Sequence, residues 1–223
     1  MRIAADVQRL LVEIYDLDLD HDVRDFLVTR RAQLPAVARV GAEGQDEELL
    51  VAASAGELAL SLFVDAAVLG RLERHDPLAR LSEANLADWW TLLEGVSHFA
   101  YVVHNATHDR AVDRLELELQ AEVDKYVGTL WLLRAQYPSH LPFELHPLLF
   151  ARTRIDPHLA CGRADLYAAA NRLAARFCRR VERGLARARA VARAPLGDGM
   201  LGELRRFYRW SGARKLSHIA ALG

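Results

Sequence analysis

Four prolines crowd into residues 137–161, at Pro138, Pro142, Pro147 and Pro157. Each lacks the N–H that a helix interior needs, and its ring collides with the preceding turn. No single helix can cross that stretch, although helical patterns flank it on both sides. The chain must therefore turn there, which predicts a bundle rather than one long rod.

The helical pattern starts at Ser82-Glu-Ala-Asn85, and helices are expected over residues 84–105, 109–136 and 163–193. In the second, Leu115, Leu119, Val123, Tyr126, Leu130 and Leu133 recur at helical spacing and form one face, which leaves Glu118, Glu122 and Lys125 for solvent. In the third, Ala170, Leu173, Ala174, Phe177, Val181, Leu185 and Ala188 make the inner face. Pro195 and Gly197-Asp198-Gly199 end it, and a short basic helix closes the chain.

The first 80 residues read differently. Ile3, Val7, Leu10, Leu11 and Ile14 predict an amphipathic helix over residues 3–15. Asp16, Asp18, Asp20 and Asp22 then alternate with Leu17, Leu19 and Val23 around His21, as an extended segment entering a strand over residues 24–29. A calcium loop is not expected, because there is no glycine at the sixth position and Leu27 stands at the twelfth. Residues 48–53 and 57–64 fit a β-hairpin around 54–56, after a loop over residues 41–46, and Asp65 can cap a helix over 66–75. The expected fold class is mainly α: a small N-terminal α+β unit with a short hairpin-containing sheet (residues 1–80), then a bundle of long helices with a basic C-terminal segment (residues 81–223).

With 52% hydrophobic and 26% charged residues, a chain of this length can bury a core without staples. Cys161 and Cys178 form no Cys-x-x-Cys pair, which suits a reducing compartment. The most apolar stretch, Leu49–Gly70, is broken by Glu57 and Asp65, and an acid and a second base follow Met1 within nine residues. Neither a membrane span nor a signal peptide is expected, and the localisation predicted is cytoplasmic.

The net charge of −1 conceals a lengthwise split. From Arg163 to Gly223 there are 14 basic against 4 acidic residues, a net of +10, so the preceding residues carry −11. Arginine makes up 27 of the 29 basic residues, which weakens any argument from arginine number and leaves arginine position. Arg172, Arg176, Arg179, Arg183 and Arg187 step by four, three, four and four along one helix face. Arg205, Arg206 and Arg209 are interleaved with Phe207, Tyr208 and Trp210, and Lys215 follows. Guanidinium groups present paired donors to carboxylates and phosphates, and aromatic rings can stack on bases. The pattern predicts a non-catalytic binding or adaptor protein engaging an anionic partner. That partner is an acidic protein surface, of another protein or of a second copy in a homo-oligomer, or nucleic acid.

An enzyme is the alternative. Glu94, Ser97, His98, Tyr101 and Asn105 share one stripe of the helix over 84–105, while Glu116, Gln120 and Asp124 recur along the apolar border of the next. If the two stripes met, His98 would be general base or metal ligand, Glu94 or Glu116 a second ligand or acid, and Tyr101 a positioning donor. The bland counterpart is a set of polar residues that pins helix register by hydrogen bonding. His140, Glu144, His146, Asp156 and His158 match no common metal spacing. No phosphate-binding glycine loop, dinucleotide fingerprint, serine-hydrolase elbow or zinc-protease motif occurs, and the sequence calls for no cofactor.

Overall fold

A computed structural model describes the chain except residues 35–44, 55–56, 140, 142–143, 152–160, 188–194 and 223. The fold is mainly α, with a small three-stranded sheet in the N-terminal region followed by helices. Among the described residues no helix is long and apolar enough to cross a membrane. The chain forms two compact units, Met1–Glu13 with Leu17–His108, and Ile14–Asp16 with Asp109–Gly223. Residues 81–108 fall in the same compact unit as the sheet.

Helix α1 (Arg2–Tyr15), whose residues up to Glu13 belong to the first unit, buries Ile3, Val7, Leu10 and Leu11 as its spacing predicts. It ends where Asp16 takes φ 55°, a left-handed conformation that Asp tolerates better than most residues. Leu17 N–H then reaches back to the Val12 carbonyl at 3.2 Å, a Schellman-type closure. Gln8 shapes the turn beyond: its Nε2 donates to the His21 carbonyl at 2.6 Å, and its Oε1 accepts from Val23 N–H at 2.7 Å.

The strand expected over 24–29 is only β1, Leu27–Val28. Asp22 accepts from Arg24 N–H and starts a 3-10 turn at Val23–Asp25, which takes up the first two residues of that span. The hairpin forms as read, with β2 (Glu47–Ser54) antiparallel to β3 (Glu57–Val64) from Glu47↔Val64 to Ser54↔Glu57. Strand order is β1-β3-β2, and β1 runs parallel to β3 with Leu27 opposite Leu62. The loop expected over 41–46 lies largely outside the described residues.

Asp65 caps α2 (Ala66–Arg74) by accepting from Ala67 N–H, and Val68, Leu69 and Leu72 turn inward. Helix α3 (Glu83–Ala106) packs on α2 and on both hairpin strands. Its start is tied down by Asn85, whose Oδ1 accepts from Ser82 N–H and whose Nδ2 donates to the His75 and Arg80 carbonyls. Gly95 lets the sheet approach: a Cβ there would stand 2.9 Å from Glu47 Oε2 and 3.0 Å from Leu62 Cδ1.

In the second unit, Asp113 caps α4 (Arg114–Gln136) through Glu116 N–H, so this helix starts five residues later than expected. Helix α4 packs on α6 (Cys161–Arg187), and both touch the short α5 (Leu145–Phe150), which gives the proline-rich segment packed structure of its own. Glu118 and Lys125, expected in solvent, are 5% and 8% exposed. Helix α4 is covered on more than its apolar face, and Lys125 satisfies its charge on Glu122 at 2.6 Å. The single basic helix expected at the C-terminus is two, α7 (Asp198–Arg209) and α8 (Gly212–Ala220). Gly197 opens α7 at φ 71°, and Ser211 caps α8 through Arg214 N–H. Both helices pack on α6, where Phe177 stacks on Phe207 with ring centroids 3.8 Å apart.

Candidate functional site

Along α6, Ala170, Ala174, Phe177, Val181 and Leu185 are buried, and the helical repeat turns Arg172, Arg176, Arg179 and Arg183 outward, all exposed. Eleven residue steps at 1.5 Å rise carry this row over about 16 Å. Arg180, also exposed, stands beside it. Arg179 pairs with Glu182 at 3.3 Å, and Arg180 reaches Glu203 of α7 at 2.5 Å. Arg172, Arg176 and Arg183 meet no carboxylate among the described residues. The Arg187 side chain lies outside what is described.

On α7, Arg206 is exposed and without an ion pair among the described residues, but its two neighbours already have work in the fold. Arg205 Nε donates to the Ile14 carbonyl at 3.1 Å. The Arg209 guanidinium donates to the Tyr15 and Asp16 carbonyls at 2.9 and 2.6 Å. Those are end carbonyls of α1, the natural place for a cation on a helix dipole.

Lys215 does not belong to the exposed face. It is fully buried, and its Nζ donates to Gln120 Oε1 at 2.6 Å. Gln120 Nε2 donates in turn to Asp124 Oδ1 at 2.7 Å, and the same oxygen accepts from the Tyr15 hydroxyl at 2.5 Å. Gln120 and Asp124 are likewise fully buried. The Tyr15 ring stacks on Tyr208, with centroids 4.3 Å apart. Glu116 takes Arg110 at 3.0 Å, and that guanidinium also donates to the Arg209 and Trp210 carbonyls.

This cluster perturbs its members. Burial, followed by the neighbouring Asp124 carboxylate, holds the Tyr15 phenol well above its ordinary range. Burial pushes the Lys215 amine down to about 7, because the ammonium loses its water; Glu116 and Asp124 pull the other way without overcoming it. The Cys178 thiol is raised, first by burial and then by Glu122. An amine near neutrality is the kind a base or nucleophile uses. Lys215, however, is enclosed on all sides, and its amine is committed to Gln120.

The four enzyme-type candidates divide between the units. Glu94, His98 and Tyr101 stand on α3 in the first, and Glu116 on α4 in the second. Tyr101 is fully buried and His98 nearly so, so their stripe does not face water. The His98 Nδ1 lies 3.9 Å from Glu47 Oε2, within ion-pair range but too far for a hydrogen bond. Asn105 Nδ2 turns back to the Tyr101 carbonyl at 2.7 Å. His146 is packed, with Nε2 2.8 Å from the Ala175 carbonyl, while His140, Asp156 and His158 lie outside the described residues.

Sequence reasoning missed Tyr15, Arg110 and Glu47 as partners, and grouped Lys215 with the partner-binding basic residues although it is buried. The repeat Glu116, Gln120, Asp124 was the available signal, because residues four apart share a helix face. Comparison of the chain with protein-family models, with curated proteins and with solved structures found no match.

Proposed function

We propose that this is a binding or adaptor protein whose second unit engages an acidic protein surface through the arginine row of α6. The observation that carries this reading is the exposure of Arg172, Arg176 and Arg183 on one face, none meeting a carboxylate among the described residues. Arg206 of α7 adds a further exposed cation. Glu182 and Glu203 interrupt the basic surface by pairing with Arg179 and Arg180. Mixed signs suit a protein partner, whose own charges can be placed in register, better than a continuous phosphate chain. Lys215 takes no part, because it is buried.

The test is fluorescence anisotropy of a labelled poly-glutamate peptide and of labelled single- and double-stranded oligonucleotides across a salt series. Binding of the acidic peptide that weakens with salt, and falls at least about tenfold in the triple variant Arg172→Glu/Arg176→Glu/Arg183→Glu, is the expected result. Preference for the oligonucleotides with a steep salt slope would make the face a nucleic-acid surface instead. No binding of either probe at low salt would remove the reading.

A further inference from the structure

Helix α8 is nine residues long, too short to hold its shape in water without tertiary contacts. It buries three residues, Gly212, Lys215 and Ile219. Gly212 has no side chain, so Lys215 and Ile219 are the two side chains that α8 buries. One is apolar and insensitive to conditions. The other ends in an ionisable amine with no solvent exposure.

The surroundings of that amine are polar but fixed. Helix α4 presents Gln120, which accepts its hydrogen bond, together with Asp124 and Glu116. Arg110, just before α4, holds Glu116 and repels the ammonium. The end of α1 contributes Tyr15, whose hydroxyl is committed to Asp124. Helix α7 contributes Tyr208, stacked on Tyr15, and the Phe207 ring, whose centroid lies 5.1 Å from Nζ. Helix α6 contributes Cys178, a fully buried thiol whose field reaches Tyr15. On α8 itself His218 packs against the rings of Trp210, Phe207 and Phe177, and so shares Phe207 with Lys215.

We propose that Lys215 is a proton-controlled latch on the C-terminal helix. With the amine neutral, α8 stays docked through the chain Lys215–Gln120–Asp124–Tyr15. Protonation puts an ammonium into a site closed to solvent, and α8 loosens. Loosening would also release Trp210 and Arg214, which stack at 4.7 Å across the junction of α7 and α8.

The direction follows from proton linkage. Burial holds the docked amine at about 7, below the ordinary 10.5 that it regains when α8 leaves. Between those two values the undocked state binds more protons, so docking strengthens as pH rises and is weakest below about 7. The change is about tenfold per pH unit where the undocked lysine is charged and the docked one is not.

Hydrogen exchange by mass spectrometry on the full chain, with protection corrected for the intrinsic pH dependence of exchange, tests this between pH 6 and 9. Protection of residues 212–220 should rise at least about tenfold from pH 7 to pH 9, while residues 170–182 of α6 change little. Lys215→Met should abolish the rise, and His218→Gln should keep it. A flat or falling profile for α8 in the wild-type chain overturns the latch, and that reading holds even if Lys215→Met fails to fold. A rise that survives Lys215→Met but disappears in His218→Gln overturns it as well.

Discussion

Gly212 lies against Glu116 so closely that a Cβ would come within 2.8 Å of Oε2 and 3.3 Å of both Cβ and Cδ of the glutamate. The carboxylate cannot simply swing aside, because its Oε1 is held by Arg110 at 3.0 Å and the residue is 5% exposed. Gly212→Ala should therefore displace the start of α8 or break the Arg110 contact. Overpacking of this kind costs about 1–3 kcal/mol. Urea denaturation should show a lower midpoint with an unchanged slope, and Gly212→Ala with Glu116→Gln should not recover it, since the amide has the same bulk.

The Tyr15 hydroxyl is one of two donors seen on the same Asp124 oxygen, the other being Gln120. Tyr15→Phe removes that donor and leaves the ring free to stack on Tyr208. A buried carboxylate deprived of a donor costs about 1–3 kcal/mol. The expected outcome is a drop of that size in unfolding free energy with the near-ultraviolet circular dichroism largely retained. Loss of the aromatic signal would mean that the hydroxyl, not the stack, positions the ring.

These two sites show what the sequence makes legible and what it hides. Helices announced themselves through spacing: Val7 and Leu11 in α1, or Phe177 and Val181 in α6, are buried where a 3.6-residue repeat puts them. Asp65 was readable as a cap because capping is local, needing only the N–H two residues on. Partners distant in sequence were not readable. Tyr15 and Asp124 are 109 positions apart, and Lys215 and Gln120 are 95 apart, so nothing in the local pattern links them. The error at Lys215 has a simple cause: a lysine in a basic run reads as solvated, yet its angular position on α8 matches Ile219, four residues on and fully buried. For the same reason Glu118 and Lys125 were misread, because periodicity shows the most apolar face of α4 and is silent on how many faces are covered.

Gly95 makes a parallel case in the first unit. A Cβ there would meet Glu47 Oε2 at 2.9 Å and Leu62 Cδ1 at 3.0 Å, and Leu62 is fully buried between β1 and β2 in the middle strand. Gly95→Ala gains helix propensity, worth about 1 kcal/mol, and loses more by pressing α3 off the hairpin, about 1–3 kcal/mol. Net destabilisation is expected in thermal melts. Adding Leu62→Ala would leave a void and should not restore the wild-type midpoint, whereas Gly95→Ala with Glu47→Ala should recover part of the loss. A stabilised Gly95→Ala would show that the strand can retreat at little cost.

The arginine row predicts the opposite pattern, a change in binding without a change in folding. Arg172, Arg176 and Arg183 are exposed, and none meets a carboxylate among the described residues, so reversing them removes no ion pair seen in the fold. Exposed substitutions of this sort usually alter stability by less than about 0.5 kcal/mol. Arg205 and Arg209 are different, because their donors close carbonyls of Ile14, Tyr15 and Asp16. Arg205→Glu with Arg209→Glu should lower the melting temperature, while Arg172→Glu/Arg176→Glu/Arg183→Glu should leave it in place. Measured side by side with binding of the acidic peptide, the two sets separate a face that holds the fold from a face that is free to hold something else. If the triple reversal unfolds the protein, those arginines serve α6 itself and the proposed interface loses its foundation.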